Sequence, residues 1–207
     1  MTTTEPDPKP RRGPLLAGIA LAATVAFGLG LAAYLGGHGK PASEATQVTN
    51  LGGPFTLIDS NGKPFTQANL AGKPYAIYFG FTRCPDVCPT TLAKMARLRA
   101  RLGKDGDKFA LVFVSVDPGH DKPKDIGQYV TLFGTPIIGL TGTDAQLAAI
   151  EKAYGVHVAK VPQPGGDYTI DHTAGVYLMR GDGQFQTLLD HNESDDASLA
   201  KLRQLLG

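Results

Sequence analysis

Two short apolar runs constrain this chain more than anything else in it: residues 75–79, Tyr-Ala-Ile-Tyr-Phe, and residues 109–116, Phe-Ala-Leu-Val-Phe-Val-Ser-Val. A strand with one wet face alternates apolar and polar residues, because successive side chains point to opposite sides of the sheet. These runs do not alternate, so each reads as a central strand buried on both faces, in a sheet covered by helices. The flanking patterns agree. Residues 89–102 place Leu92, Met95, Ala96, Arg99 and Leu102 at three- and four-residue spacings, the stripe of a surface helix, closed by Gly103. Residues 125–133 and 143–154 read as two further helices, the second with Leu147, Ile150 and Tyr154 on one side, and residues 136–140 lie between them as a third strand. Asn61-Gly62 between the short arms 55–58 and 64–66 predicts a hairpin before the first buried strand. A second hairpin is expected over 175–189, turning at 180–183, and a helix over 198–206. Residues 156–158 alternate as an exposed strand, and a polar loop over 162–167 leads into Tyr168 to Thr173. The whole reads as α/β, a sheet covered by helices on both faces and preceded by a β-hairpin.

A different kind of segment comes first. Residues 1–14 are Pro-rich and polar, with Lys9, Arg11 and Arg12, and read as a cytoplasmic tail. Residues 15–37 hold no charged residue at all. At about 1.5 Å of rise per residue, such a run spans a hydrocarbon core about 30 Å thick, so a single transmembrane anchor is expected there. It is longer than the apolar core of a secretory signal, and no small-x-small site follows closely. An uncleaved anchor is the reading taken, with 41–45 as the place where a cut would fall. The basic tail keeps the N-terminus in the cytoplasm, which places a linker at 38–51 and a domain at 52–207 on the far side, the periplasm of a bacterium. The chain has a net charge of +1, and no basic stripe or patch appears in it, which argues against a nucleic-acid partner.

The chain has two cysteines, Cys84 and Cys88, where the first buried strand gives way to a helix. Outside the cytoplasm cysteines commonly staple a fold, but a bridge across five residues constrains little of the unfolded chain. Sites in open α/β sheets collect beyond the carboxyl ends of strands, and this pair falls there. With Pro89 in the first helical turn, the unpaired N–H groups and the dipole of the helix favour thiolates, so both sulfurs are expected to deprotonate readily. Two thiolates can hold a soft metal, form a disulfide, or do both in turn.

A metal on two sulfurs wants a third ligand. His38 lies at the membrane exit, His191 in an acidic surface loop, and His157 in the exposed alternating pattern. His120 follows Asp117-Pro118-Gly119 after the second buried strand, and His172 stands in Asp171-His172-Thr173 before the last hairpin. Residue type and position favour His172 only slightly over His120. Asp171 is a candidate to orient the imidazole, or a solvated loop residue.

The run Tyr-Phe-Gly-Phe-Thr-Arg-Cys-Pro-Asp-Val-Cys-Pro at 78–89, with Val-Ser-Val-Asp-Pro at 114–118 and Asp-His-Thr at 171–173 before Val-Tyr-Leu at 176–178, resembles the SCO/SenC family of membrane-anchored copper proteins. The resemblance covers residues 52–206 and implies a thioredoxin-like fold, with copper held by Cys84, Cys88 and His172. It further implies help in assembling the binuclear copper centre of cytochrome c oxidase, so the implied partners are a copper-accepting oxidase subunit and another periplasmic copper chaperone or thioredoxin-like reductant. After Asp117-Pro118 the family usually carries a charged run, whereas Gly119-His120-Asp121-Lys122-Pro123 stands here, which keeps His120 open as an accessory group.

Chemistry points the same way. Two thiolates and one imidazole suit Cu(I), with Cu(II) left open, and suit calcium and magnesium poorly. A structural zinc would want a fourth protein ligand that the sequence does not offer. The expected function is a copper metallochaperone. The alternative is a thiol–disulfide oxidoreductase in which Cys84 and Cys88 are the redox pair, although enzymes of that kind on this fold generally carry Cys-x-x-Cys. A peroxidase is a third and weaker possibility.

Overall fold

The computed structural model describes residues 51–207. The proposed tail and anchor, and all but the last residue of the proposed linker, lie outside the described residues. Among those described, no helix is long and apolar enough to cross a membrane.

Chain order gives β1 (Thr56–Asp59), β2 (Pro64–Thr66), a 3-10 turn at Gln67–Leu70, β3 (Tyr75–Gly80), α1 (Val87–Arg101), a 3-10 segment at Gly103–Lys108 and β4 (Ala110–Ser115). There follow α2 (Pro123–Thr131), β5 (Ile138–Thr141), α3 (Asp144–Tyr154), β6 (Val158–Pro162), β7 (Tyr168–His172), β8 (Val176–Met179), β9 (Phe185–Leu189) and α4 (Asp195–Leu206). Seven strands form one sheet in the order β2-β1-β5-β4-β3-β8-β9. β3, β4 and β5 run parallel, while β1, β8 and β9 join antiparallel to their neighbours. Among the described residues, β6 and β7 pair only with each other.

Both apolar runs are the strands they promised to be. Every residue of β3, β4 and β8 is buried, so both faces of the sheet are covered at its centre. α1 packs against α4, α4 lies on β8 and β9, α2 lies on β5, and α3 lies on β1. The Asn-Gly turn closes the β1–β2 hairpin, with Gly62 at φ 77, a conformation glycine adopts without strain. α3 begins at Thr143, whose hydroxyl accepts from the Gln146 N–H while Gln146 Oε1 accepts from the Thr143 N–H. Its buried face is the expected Leu147, Ile150 and Tyr154. Tyr154 also meets Tyr75 hydroxyl to hydroxyl at 2.9 Å, so α3 is tied to β3 with both polar tips satisfied.

Arg99, on the apolar stripe of α1, is buried and has no acidic partner among the described residues. Its guanidinium donates to the carbonyls of Gly106, Phe109 and Pro136 at 2.7–2.8 Å and lies 5.1 Å from the centre of the Phe109 ring. It thereby fastens the turn between α1 and β4.

Several boundaries differ from expectation. α1 starts two residues before Pro89, which then occupies a first-turn position where a missing N–H is no loss. α4 starts at Asp195 because Ser194 caps it, its hydroxyl accepting from the Ala197 N–H. The strand expected at 156–158 instead runs over Val158–Pro162 and pairs with Tyr168–His172, so the approach to His172 is a β-ribbon. The strand–cysteine loop–helix unit, the parallel β4 and the final hairpin and helix together make the thioredoxin-like arrangement.

Candidate metal centre

The site is built where β3 ends. Gly80 closes the strand, and the chain leaves it through Phe81-Thr82-Arg83-Cys84 into α1. Asp121, buried in the loop after β4, holds that exit in place. Its carboxylate accepts from the Thr82 N–H at 2.8 Å, the Thr82 hydroxyl at 2.5 Å and the Ser115 hydroxyl at 2.5 Å. The Cys84 N–H turns back to the Phe81 carbonyl at 3.3 Å, which leaves the sulfur half-buried at the mouth of the site. Cys88 falls in the first turn of α1 with no exposed surface. Its N–H points at Cys84 Sγ, 3.4 Å away.

His172 is the last residue of β7, and its Nε2 stands 3.5 Å from Cys88 Sγ. One donor atom from each of Cys84, Cys88 and His172 lies within 4.8 Å of the other two, the one group of three such donors among the described residues. The imidazole sits edge-on to Phe81 and Tyr78, with ring centres 5.9 and 6.1 Å away. Its Nδ1 lies 3.0 Å from the Thr173 carbonyl. A carbonyl only accepts, so that contact places the proton on Nδ1 and leaves the Nε2 lone pair facing the sulfurs, the tautomer a metal ligand requires.

Of the two readings of Asp171, orienting partner or solvated residue, the structure favours the second. Side chains alternate along a strand, so Asp171 points away from His172 and is exposed, and the orienting acceptor is a backbone carbonyl.

The two sulfurs differ more than the helix terminus alone suggested. The Cys88 thiol donates to Cys84, and this contact, with further help from the backbone N–H groups of Cys88 and Asp86, brings the Cys84 thiol down from 9.0 to about 4. Cys88 is pushed the other way, because its proton is the one shared with the Cys84 thiolate and because burial penalises a second charge. The expectation of two readily formed thiolates therefore holds for Cys84 and fails for Cys88 in the metal-free protein. Two like charges at this separation in a half-buried site repel strongly, and a cation bridging them removes that obstacle. No disulfide joins the two cysteines. A half-exposed thiolate, a buried thiol and an imidazole lone pair form a donor set suited to a soft cation of low coordination number.

The remaining histidines stand elsewhere. His120 belongs to a cluster with Arg83, Asp117, Asp167 and Tyr168. His157 is exposed beside the start of β6, and His191 lines a surface cleft between α1 and the loop before α4. His38 lies outside the described residues. Sequence reasoning missed Arg83, Tyr168 and the part Asp117 plays in that cluster. The available signal was a charged residue directly before Cys84 and an acidic one just after the neighbouring strand β4.

Comparison with known proteins gives a consistent answer. A family model described as SCO1/SenC matches residues 43–207. The yeast protein SCO1, mitochondrial, is 38% identical over 169 residues, which is 80% of this chain and 55% of that protein. The chain spans about half the length of the yeast relatives it matches, SCO2 at 52% and SCO1 at 55%. A solved structure of Bradyrhizobium japonicum ScoI with copper bound superposes with a TM-score of 0.69 at 42% identity, covering 75% of this chain and 99% of that one. Yeast Sco1 with copper bound gives a TM-score of 0.69 at 39% identity, covering 75% and 87%.

Proposed function

The chain belongs to the SCO1/SenC family, and on that premise we propose that it carries copper as cargo on Cys84, Cys88 and His172 and delivers it to an apo subunit of cytochrome c oxidase. The observation that supports this reading is the convergence of three soft or borderline donors within 4.8 Å from two segments far apart in sequence. Two sulfurs and one nitrogen match Cu(I), and the His172 tautomer presents its free lone pair to the pair. The relatives whose structures hold copper are similar over three quarters of this chain. Residues 1–14, 15–37, 38–51 and 52–207 serve in this proposal as cytoplasmic tail, single membrane anchor, linker and copper-binding domain. The domain then works on the periplasmic side, near a membrane-bound acceptor. Anaerobic titration of the reduced full-length chain against a chromogenic Cu(I) chelator tests the reading. One equivalent of Cu(I) should be held, and His172→Ala should weaken the binding. No binding, or binding indifferent to His172→Ala, overturns it.

A second reading rests on the state of Cys84. A thiol brought down to about 4 beside a buried partner thiol is equipped for disulfide exchange with the cysteines of an oxidase subunit or of another chaperone. Copper uptake needs the same reduced pair, so the two activities compete for one site. Turnover through a mixed disulfide at Cys84, in a protein indifferent to His172→Ala, would decide for the oxidoreductase.

A further inference from the structure

His172 is delivered by a hairpin that forms no ladder with the main sheet. A two-stranded ribbon is marginal by itself, so the place of His172 depends on what ties the ribbon to the body. Tyr168, Ile170 and His172 alternate onto one face of β7, and the three point inward. Ile170 enters the core. The Tyr168 hydroxyl donates to Asp117 Oδ1 at 2.5 Å, and the Asp117 side chain has no exposed surface. Arg83, next to Cys84, donates to Asp167 Oδ2 at 2.8 Å, to the Tyr168 carbonyl at 3.3 Å and to Asp117 Oδ2 at 3.4 Å. Its guanidinium lies 5.6 Å from the centre of the Tyr168 ring, and the Lys160 ammonium lies 4.5 Å from it. His120 Nδ1 is 2.9 Å from Arg83 and 3.0 Å from Asp117 Oδ2, and serves one of the two at a time.

The segment before Cys84 and the strand carrying His172 are therefore fastened to each other and to one buried carboxylate. The exposed ion pairs within this cluster are individually weak, whereas a phenol donating to a buried carboxylate is a charge-assisted bond of the stronger kind. Gly119 makes room for it: a methyl group there would stand 2.8 Å from the Tyr168 hydroxyl.

We propose that Asp117, Tyr168 and Arg83 form a clasp that sets how firmly His172 closes on the two sulfurs, and that opening the clasp frees His172 so that an acceptor can take the metal. The inference rests on the copper reading above. In the exchange Cu(I) keeps its charge, the bond to His172 Nε2 breaks, and a donor atom of the acceptor takes the vacated place. Asp117, Tyr168 and Arg83 are positioning residues, since none belongs to the donor group.

The test uses the reduced full-length chain with Tyr168→Phe and, separately, Gly119→Ala, which crowds the same hydroxyl while leaving every group of the clasp in place. Each should weaken Cu(I) binding in chelator competition by about tenfold, the size of one lost charge-assisted hydrogen bond. In a His172→Ala background the same changes should have little effect. Without metal, backbone amides of the β6–β7 hairpin should exchange about tenfold faster in both variants. Unchanged affinity, or an equal loss with and without His172, overturns the clasp. A parent chain that binds no Cu(I), or binds it independently of His172, overturns the copper reading and this inference together. That failure is recognisable because it shows already in the parent chain, whereas failure of the clasp alone leaves the parent's His172-dependent binding intact.

Discussion

The sulfur of Cys88 rests on the backbone of Gly80: a methyl group built on that glycine would stand 2.9 Å from Cys88 Sγ. The same methyl would lie 3.1 Å from the Phe113 ring and 3.2 Å from the Tyr78 ring, both of them packed in the core. Gly80→Ala should therefore destabilise the domain by about 1–3 kcal/mol, the usual cost of overpacking, and push Cys88 off its seat. Urea denaturation checks the first effect and Cu(I) competition the second. A variant with parent stability and parent affinity would show that the seat is slack.

The low value at Cys84 predicts how the reduced, metal-free chain reacts with an alkylating agent. Its thiol is lowered from 9.0 to about 4, so modification of Cys84 should proceed at a constant rate from pH 8 down to about 5 and fall off with a midpoint near 4. Cys88, raised and buried, should stay unmodified across that range. The sign of the linkage follows: between about 4 and 9.0 the unfolded chain binds the proton that folded Cys84 lacks, so the contribution of Cys84 to stability rises with pH and is lost as pH falls through 4. Mass spectrometry of quenched samples reads both sites, and a Cys84 midpoint near 9 would contradict the geometry.

Removing Arg99 tests the frame apart from the site. Arg99→Ala leaves the carbonyls of Gly106, Phe109 and Pro136 without their donor in a buried corner and strips the cover from Phe109. A loss of about 3 kcal/mol or more is expected in urea denaturation. Cu(I) affinity in the folded population should not move, because this corner lies at the opposite end of α1 from Cys88.

Thr141 on β5 carries a buried hydroxyl with no hydrogen-bond partner among the described residues. Thr141→Val keeps the branched shape and deletes the orphaned oxygen, so stability should rise by about 1 kcal/mol. A loss of stability on thermal or urea denaturation would mean that the hydroxyl is bonded in solution.

Much of this architecture is legible residue by residue. The unbroken apolar runs of β3 and β4 can be stable only between two covered faces, and Asn61-Gly62 and Thr143 announce a turn and a cap through their own chemistry. The β6–β7 ribbon was not legible in the same way. Val158–Pro162 is largely exposed and ends in proline, and its strand character comes from pairing with Tyr168–His172 rather than from any pattern of its own. The approach of His172 to the cysteines depends on that ribbon, which explains why residue type alone barely separated it from His120.

By itself, then, the sequence determined that the chain builds a covered α/β sheet, that two cysteines stand at the carboxyl end of its first buried strand, and that family resemblance names His172 as their companion. Those are consequences of local pattern, and local pattern is written residue by residue. The tertiary structure alone decided that Cys84 is pushed toward the thiolate and Cys88 toward the thiol, that a backbone carbonyl and not Asp171 fixes the tautomer of His172, and that Asp117, Tyr168 and Arg83 bind the two halves of the site together. Each of these depends on distance and burial between groups remote in sequence, and the energies of charges and hydrogen bonds take their size from those two quantities.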